Sequence, residues 1–584
     1  MDYSNIYFWL RGKVISAAQT LTSDTIDFDQ IVIETPKEKS HGDLSTNIAM
    51  IIAKSLKISP REVALKIKEQ LESSSEFEAI DVAGPGFINF KFNNNFWHKV
   101  FKHIISLKED FGRATTGSNE KINIEFVSAN PTGPMHIGHA RGAIYGDALA
   151  RIMAFTGYEV TREYYVNDAG SQIDTLVKSA HLRYKEAFGE NITIPEGYYP
   201  GEYLKIIGEK LKEQFGEKFK NIEDLSLYNE FRKIVVGEML ALIKQDLLDM
   251  KVKHDYFFFE SKMHGSLSGG KDLITETIDI LEKYGLVYKG KLPLPKGEVP
   301  EDWEDREQLL FKSTDYGDDQ DRSLTKTDGS WTYFAGDVAY AKNKIDRGFN
   351  KNIIILGADH CGYVRRLQAV YDALSKGLSK AQILLCQMVN FVENGKPVKM
   401  SKRAGNFTTV ADVLKEVDPD VLRFIMLTRK NDVILDFDLE LTKTQSKENP
   451  VFYVQYARVR ALSIIENAKN HFPDIYKIFE EAKYDVEELK AEPEIALIKL
   501  MSAWPKMVLS AANSAEVHRI AYYLQELASN FHAFWNLGKE YPDYRFIIPE
   551  NQKLSSARLI LVYSVANIIG IGLNLLGVKP LNKM

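Results

Sequence analysis

Ala129-Asn130-Pro131-Thr132-Gly133-Pro134-Met135-His136-Ile137-Gly138-His139 is the stretch from which the rest of this 584-residue chain can be read. Before it, Ile122, Ile124 and Phe126 alternate with other residues, the period of a strand. After it, Ala143, Ala148, Leu149, Ile152 and Met153 fall at helical spacing, and Gly157 ends the run. A second alternating run, Val160 to Val166, completes a strand–loop–helix–strand unit. Two histidines therefore stand at a strand-to-helix switch, where backbone N–H groups and a helix dipole favour a phosphate. The stretch is a place to bind a nucleotide.

A second basic stretch lies far downstream, Lys399-Met400-Ser401-Lys402-Arg403. Glu393-Asn394-Gly395-Lys396-Pro397 precedes it as a turn, and Gly405-Asn406 follows. By itself such a loop is an ordinary solvated basic turn. Two lysines three positions apart can also meet the outer phosphates of ATP, because an ammonium on a flexible stem is a mobile point charge. Paired with the upstream histidines, in that order, the second use is the better one.

The two stretches resemble the paired signatures of class I aminoacyl-tRNA synthetases, with Arg403 where the family's second signature ends in Ser. Further segments resemble the arginyl-tRNA synthetases: His41 to Met50, Ala83 to Phe90, Tyr165 to Gly170, Gly357-Ala358-Asp359-His360, Gly362-Tyr363-Val364 and Glu448 to Ala457. The match runs along almost the whole chain in the family's order. Arginyl enzymes often lack the second lysine of the downstream loop, and this chain keeps it as Lys402.

The resemblance implies a multidomain α/β protein built on a Rossmann-type parallel-sheet core. Residues 1–112 would be an N-terminal α+β domain touching tRNA. Residues 113–442 would be the catalytic domain, with a connective insertion at about 171–325, and 443–584 a helical anticodon-binding domain. The activity implied is joining L-arginine to tRNA(Arg), with ATP forming arginyl-adenylate and pyrophosphate first. His136, His139, Lys399 and Lys402 would be catalytic, and Gly138, Gly357, Asp359 and Met400 would meet ATP. Glu125, Asn130, Tyr333, Asp337 and His360 would hold arginine. Mg²⁺ should arrive with ATP. A guanidinium is a planar fork of five donors, so carboxylates such as Glu125 and Asp337 suit it. Each has a simpler use: Asp337 as a helix N-cap before Val338 to Ile345, Glu125 as a solvent-facing strand residue.

In the C-terminal part, Tyr453, Tyr456, Phe531, Phe534 and Trp535 lie at helical spacing, where most such aromatics pack into a core. Trp535 with Asn536, where the family usually has Tyr-Asn, and Tyr453 are the candidates to meet tRNA bases.

Composition agrees with these expectations and narrows the alternatives. Hydrophobic residues make up 45% and charged residues 26%, ordinary for a globular protein. A net charge of −6 argues against a global electrostatic grip on nucleic acid, although Lys443 onward carries 17 Lys and Arg against 15 Asp and Glu. Local basic patches and shape would have to hold tRNA. Two cysteines, Cys361 and Cys386, point to a reducing, cytoplasmic setting and are too few for a Cys-rich structural zinc site. Leu559 to Val578 is apolar, but Ser564, Asn567, Asn574 and three glycines favour a buried core helix over a membrane span. Ser73-Ser74-Ser75 and Asn93-Asn94-Asn95 read as turns, and Asp418-Pro419-Asp420 starts a helix. A monomer is the expectation. A different class I synthetase, a shorter nucleotidyltransferase and a non-enzymatic RNA-binding relative are the rival readings.

Overall fold

The computed structural model describes residues 3–22, 27, 30–264, 270–292, 306–393, 396–397 and 409–584. Contacts gather the chain into two units, residues 1–114 with 445–584, and residues 115–444. Lys399, Met400 and Lys402 lie outside the described residues.

The 115–444 unit is organised by five strands: β1 Lys121–Glu125, β2 Glu159–Val166, β3 Tyr256–Phe259, β4 Lys351–Gly357 and β5 Lys380–Cys386. All neighbours are parallel, in the order β5-β4-β1-β2-β3. β1 alternates as its sequence predicts, yet both of its faces are buried. On one face Phe126, just beyond the strand, lies so close to the helix Ile137–Phe155 that a Cβ at Gly146 would come within 2.3 Å of its ring. On the other, Asn123 and Glu125 turn toward the helix Tyr333–Asp346 and bond to buried charges. Glu125 is 8% exposed, so it is not a solvent-facing strand residue. From β1 the chain moves to β2 on one side, and β4 later returns on the other. That reversal opens a crevice beyond the carboxyl ends of β1 and β4, where ligands of such sheets bind.

Between β2 and β3 run the helices Ser171–Ala187, Glu202–Phe215 and Leu225–Asp249. The helical periods of Leu204 to Phe215 and Leu227 to Met250 in the sequence match the last two to within two residues at each end. β3 is not evident in the sequence, because Tyr256-Phe257-Phe258-Phe259 has no alternation; it pairs with β2 at the sheet edge. Small antiparallel and mixed sheets follow, Val287–Gly290 with Gln308–Phe311 and Arg322–Ser323, then Val389–Glu393 with Lys396–Pro397 and Leu435–Asp438.

In the other unit, four antiparallel strands pack with helices around Phe90, Phe96, Trp97 and Phe101. Ser59 and Glu62 form a capping box with Pro60 at the first turn, which fixes the start of the helix Pro60–Leu71. Gly84 and Gly86 take positive φ in the turn between two strands; a Cβ at Gly86 would meet Pro60 at 2.9 Å. The Asn93 to Asn95 triplet is not a turn: Asn93 caps the helix Asn94–Leu107 by accepting from Phe96 N–H. Residues 450–575 form six α-helices among the described residues. The last, Gln552–Leu575, is long and apolar enough to cross a membrane, but 89% of its most apolar window is buried in this unit, as a core helix would be. Phe531 and Phe534 are core residues.

One buried ion pair braces the 115–444 unit. Asp147, on the helix after β1, accepts from Arg423 at 2.6 Å, and their side chains are 1% and 0% exposed. Burial alone would raise the Asp147 pKa, but Arg423, Arg151 and Arg162 overcome it and hold it below the ordinary carboxylate value. The ion pair's contribution is therefore complete at neutral pH and lost only as pH falls through that depressed pKa. Asp147→Ala leaves a buried guanidinium uncompensated and should destabilise the unit by about 3–5 kcal/mol. Hydrogen exchange of the helix Ile137–Phe155 measures this; unchanged protection would remove Asp147 from the interactions that hold it.

Candidate active site

The histidine stretch is shaped mainly by backbone contacts. After β1, Val127 and Ser128 both take left-handed φ, 72° and 42°. For a β-branched valine that is a costly conformation, held by its surroundings. The kink returns the Ser128 hydroxyl to donate to Glu125 at 3.2 Å and to accept from Tyr165 N–H at 3.1 Å. Farther along, Met135 N–H donates to the buried Asp246 carboxylate at 2.8 Å, and Met135 C=O accepts from Val410 N–H at 3.0 Å. His136 also pairs with Thr409 as an isolated antiparallel bridge, so the residues just after the second signature abut the first.

His136 is the N-cap of the helix Ile137–Phe155, its Nδ1 accepting from Gly138 N–H at 3.0 Å. With Nδ1 an acceptor, a neutral His136 ring carries its proton on Nε2. The His139 ring lies 6.5 Å from that of His136. It keeps an exposed edge, yet the protein packed around it, and then His136, hold its pKa below the ordinary histidine value. Both imidazoles stand at a helix N-terminus, ready to donate to an anion.

The expected arginine residues fall into two places. Glu125, Tyr333, Asp337 and His360 line one cavity of about 1360 Å³. Asn130 lines another of about 900 Å³ with His136 and His139, its amide donating to Gln172 at 2.8 Å. Gly357 ends β4, and Asp359 follows on the short turn Ala358–Tyr363, its carboxylate 79% exposed and 3.4 Å from His360 Nε2.

The larger cavity has an acidic floor built by one helix face. Asp337, Tyr340 and Lys344 are three and four residues apart on the helix Tyr333–Asp346 and point at the sheet. Asp337 is not a cap, because Thr332 caps that helix by accepting from Ala335 N–H. The Lys344 ammonium, fully buried, donates to Glu125 at 2.5 Å and lies 4.3 Å over the Tyr340 ring. Burial would lower its pKa, but Glu125 above all pushes it up to about 12. On the adjoining strand Glu163 accepts from Asn123, the Tyr340 hydroxyl and Arg347, the last at 2.6 Å. Among the described residues Asp337 has no such cation in contact. Burial, and then Glu125, push its pKa up to about 7, outweighing Arg366. The floor thus holds one carboxyl whose charge awaits a cation.

Lys344, Ser128 and Asp246 were missed in the sequence. The spacing of Lys344 from Asp337 and Tyr340 was a usable signal for the first. Nothing in the sequence marked the others. Asp168 also gains a role: its carboxylate accepts from Ser261 N–H and hydroxyl at 2.8 and 2.6 Å, joining the loops after β2 and β3.

In the other unit, Trp535 stacks on Phe546 at 6.1 Å, with the Arg460 guanidinium 5.6 Å from its ring. Arg460 also lies 4.2 Å over Tyr456, which is 37% exposed. Tyr453 packs 4.9 Å from His532, and Asn536 is exposed. This is an aromatic surface with a cation at its centre, of a kind that stacks unpaired bases.

Family models match in chain order: an arginyl tRNA synthetase N terminal domain over residues 10–92, a class I (R) tRNA synthetase catalytic domain over 101–447 and a DALR anticodon binding domain over 454–584. Proteins named arginine–tRNA ligase from Rickettsia prowazekii and Rickettsia bellii are each 52% identical over 580 residues, 99% of this chain and all of theirs. The solved arginyl-tRNA synthetase of Thermus thermophilus aligns with a TM-score of 0.72 over 99% of this chain and all of that one; at 19% identity it speaks for the fold alone. By sequence along its whole length, the chain belongs to the arginyl-tRNA synthetase family.

Proposed function

We propose that the acidic floor binds the guanidinium of L-arginine and that His136 and His139 face the phosphates of ATP. The family fixes the reaction around these assignments: the protein is an ATP-dependent arginine–tRNA ligase, forming arginyl-adenylate and pyrophosphate and then arginyl-tRNA(Arg). The observation that carries the arginine assignment is the charge count of the floor. Glu125 is neutralised from within by Lys344, while burial, and then Glu125, push the Asp337 pKa up to about 7, with no cation in contact among the described residues. A bound guanidinium supplies the missing charge through a two-pronged, charge-assisted hydrogen bond. Tyr333 and His360 complete the rim of that cavity, and Asn130 meets the amino-acid end nearer the histidines.

Adenylate formation needs no protein nucleophile. It needs arginine's carboxylate held against the α-phosphate, and donors for the charge that grows there. Nε2 of His136 and the ring of His139 are such donors, and Gly138 keeps the helix start slim beside them. Gly357 and Asp359 take the ribose side of ATP. MgATP is the substrate form, and Lys399, Met400 and Lys402 would meet its outer phosphates. Residues 1–112 and 443–584 hold the body of tRNA, with Trp535, Asn536 and Tyr453 against unpaired anticodon bases. The enzyme works as a cytoplasmic monomer.

Pyrophosphate exchange, run with each amino acid and with or without tRNA, tests the assignment; exchange driven by another amino acid would end it. The Asp337 carboxyl must lose its proton to pair with arginine. The arginine KM should therefore fall about tenfold per pH unit as pH rises toward 7, and level off above it. Asp337→Asn should flatten that profile and weaken arginine by about 2–3 kcal/mol. A pH-independent wild-type KM would return Asp337 to a structural role. His139→Ala should lower the rate of adenylate formation by about a hundredfold while tRNA affinity holds, since one preorganised donor to a developing charge is gone. Filter binding checks the second half; lost tRNA affinity would contradict the role.

A further inference from the structure

Residues 128–135, which lead to the two histidines, form neither helix nor strand, and side chains from other elements hold their main chain. The Tyr164 hydroxyl on β2 donates to Ala129 C=O at 2.7 Å. Two more anchors come from the helices inserted between β2 and β3. Tyr203, in the first turn of the helix Glu202–Phe215, donates its hydroxyl to Thr132 C=O at 2.6 Å. Asp246, near the end of the helix Leu225–Asp249 and 6% exposed, accepts from Met135 N–H. Between these two anchors stands Gly133, where a Cβ would come within 3.0 Å of the Tyr203 ring and hydroxyl. A side chain at that position would push the ring away. Burial pushes the Tyr203 pKa up to about 12, so its hydroxyl stays protonated and remains a donor.

Tyr203 is itself firmly placed. Tyr199 N–H donates to Ser179 Oγ at 3.0 Å and Arg183 donates to Pro200 C=O at 3.1 Å, which fastens the approach to Tyr203 onto the helix Ser171–Ala187. At Gly208 the two helices run so close that a Cβ would meet Arg183 C=O at 2.6 Å. A half-buried tyrosine often does no more than find a partner for its hydroxyl. This one finds it four residues before His136, on a loop with no ladder of its own to keep it in place. We propose that Tyr203 is a positioning residue for adenylate formation. Through Thr132 and Gly133 it sets the loop so that His136 and His139 face the phosphates of ATP, while Asp246 fixes the far end at Met135. The inference rests on those histidines facing ATP. Donors to a developing charge act only when already in place, and a displacement of about 1 Å costs up to about a hundredfold in rate. Glu125 and Asp337 line the other cavity, and Asn130 has its own tie to Gln172 at 2.8 Å. Release of Thr132 therefore moves the histidines without freeing arginine.

Tyr203→Phe keeps the ring and removes the donor. Thr132 is half-buried, so water reaches the freed carbonyl and the fold stays intact. In arginine-dependent pyrophosphate exchange with tRNA present, kcat/KM for ATP should fall by about tenfold, the effect of one net hydrogen bond. The arginine KM and the tRNA affinity should hold. Asp246→Ala should act in the same direction, and Asp246→Asn, which keeps an acceptor oxygen for Met135 N–H, should recover most of the loss. Gly133→Ala should cost activity in the wild type, where the new Cβ presses on Tyr203, and much less in Tyr203→Ala, where the ring is gone. Unchanged ATP kinetics in Tyr203→Phe, an arginine KM that rises with the loss, or additive costs of Gly133→Ala and Tyr203→Ala would each overturn the positioning role. Unchanged adenylate formation in His139→Ala would instead overturn the phosphate-facing histidines on which it rests.

Discussion

The contact between Lys344 and Glu125, closed to water, is the constraint around which the catalytic unit is arranged. Glu125 and Glu163 are register partners on adjacent parallel strands, which places two carboxylates side by side inside the protein. Neither charge could stay there alone. The helix Tyr333–Asp346 and its cap answer them with Lys344 and Arg347, and the Tyr340 hydroxyl adds a bond to Glu163. A buried ion pair of this kind contributes little net stability compared with well-packed apolar groups. What it does supply is placement. It fixes the helix against the strand ends, and so sets Asp337, two helical turns before Lys344, beside the same cavity as Glu125.

The histidine turn follows the same logic with backbone groups. Left-handed φ at Val127 and Ser128 bends the chain sharply at the end of β1, where an unstrained path would continue straight. The bend is retained because Ser128 bonds both to Glu125 and to the backbone of β2, and because Asp246 and Val410 hold Met135 from either side. One carboxylate, Glu125, therefore touches both the turn that leads to the two histidines and the helix that frames the larger cavity.

Much of this was legible in the sequence, and the boundary has physical causes. β1, the histidine helix and β2 were readable because their periods switch from two to 3.6 and back at a glycine. Asp337 had two uses open to it, and the three-dimensional fold decided between them: Thr332, five residues earlier, took the cap. Lys344 was hidden by its neighbour Lys342, which has the same chemistry but pairs with Asp346 at the surface; only the helix's rotation against the sheet tells them apart. β3 was hidden because four consecutive aromatics carry no alternation, and because a charged helical region surrounds it. The Asn93 to Asn95 run failed for a different reason. Asparagine serves turns and N-caps equally well, and only the residues after it decide which.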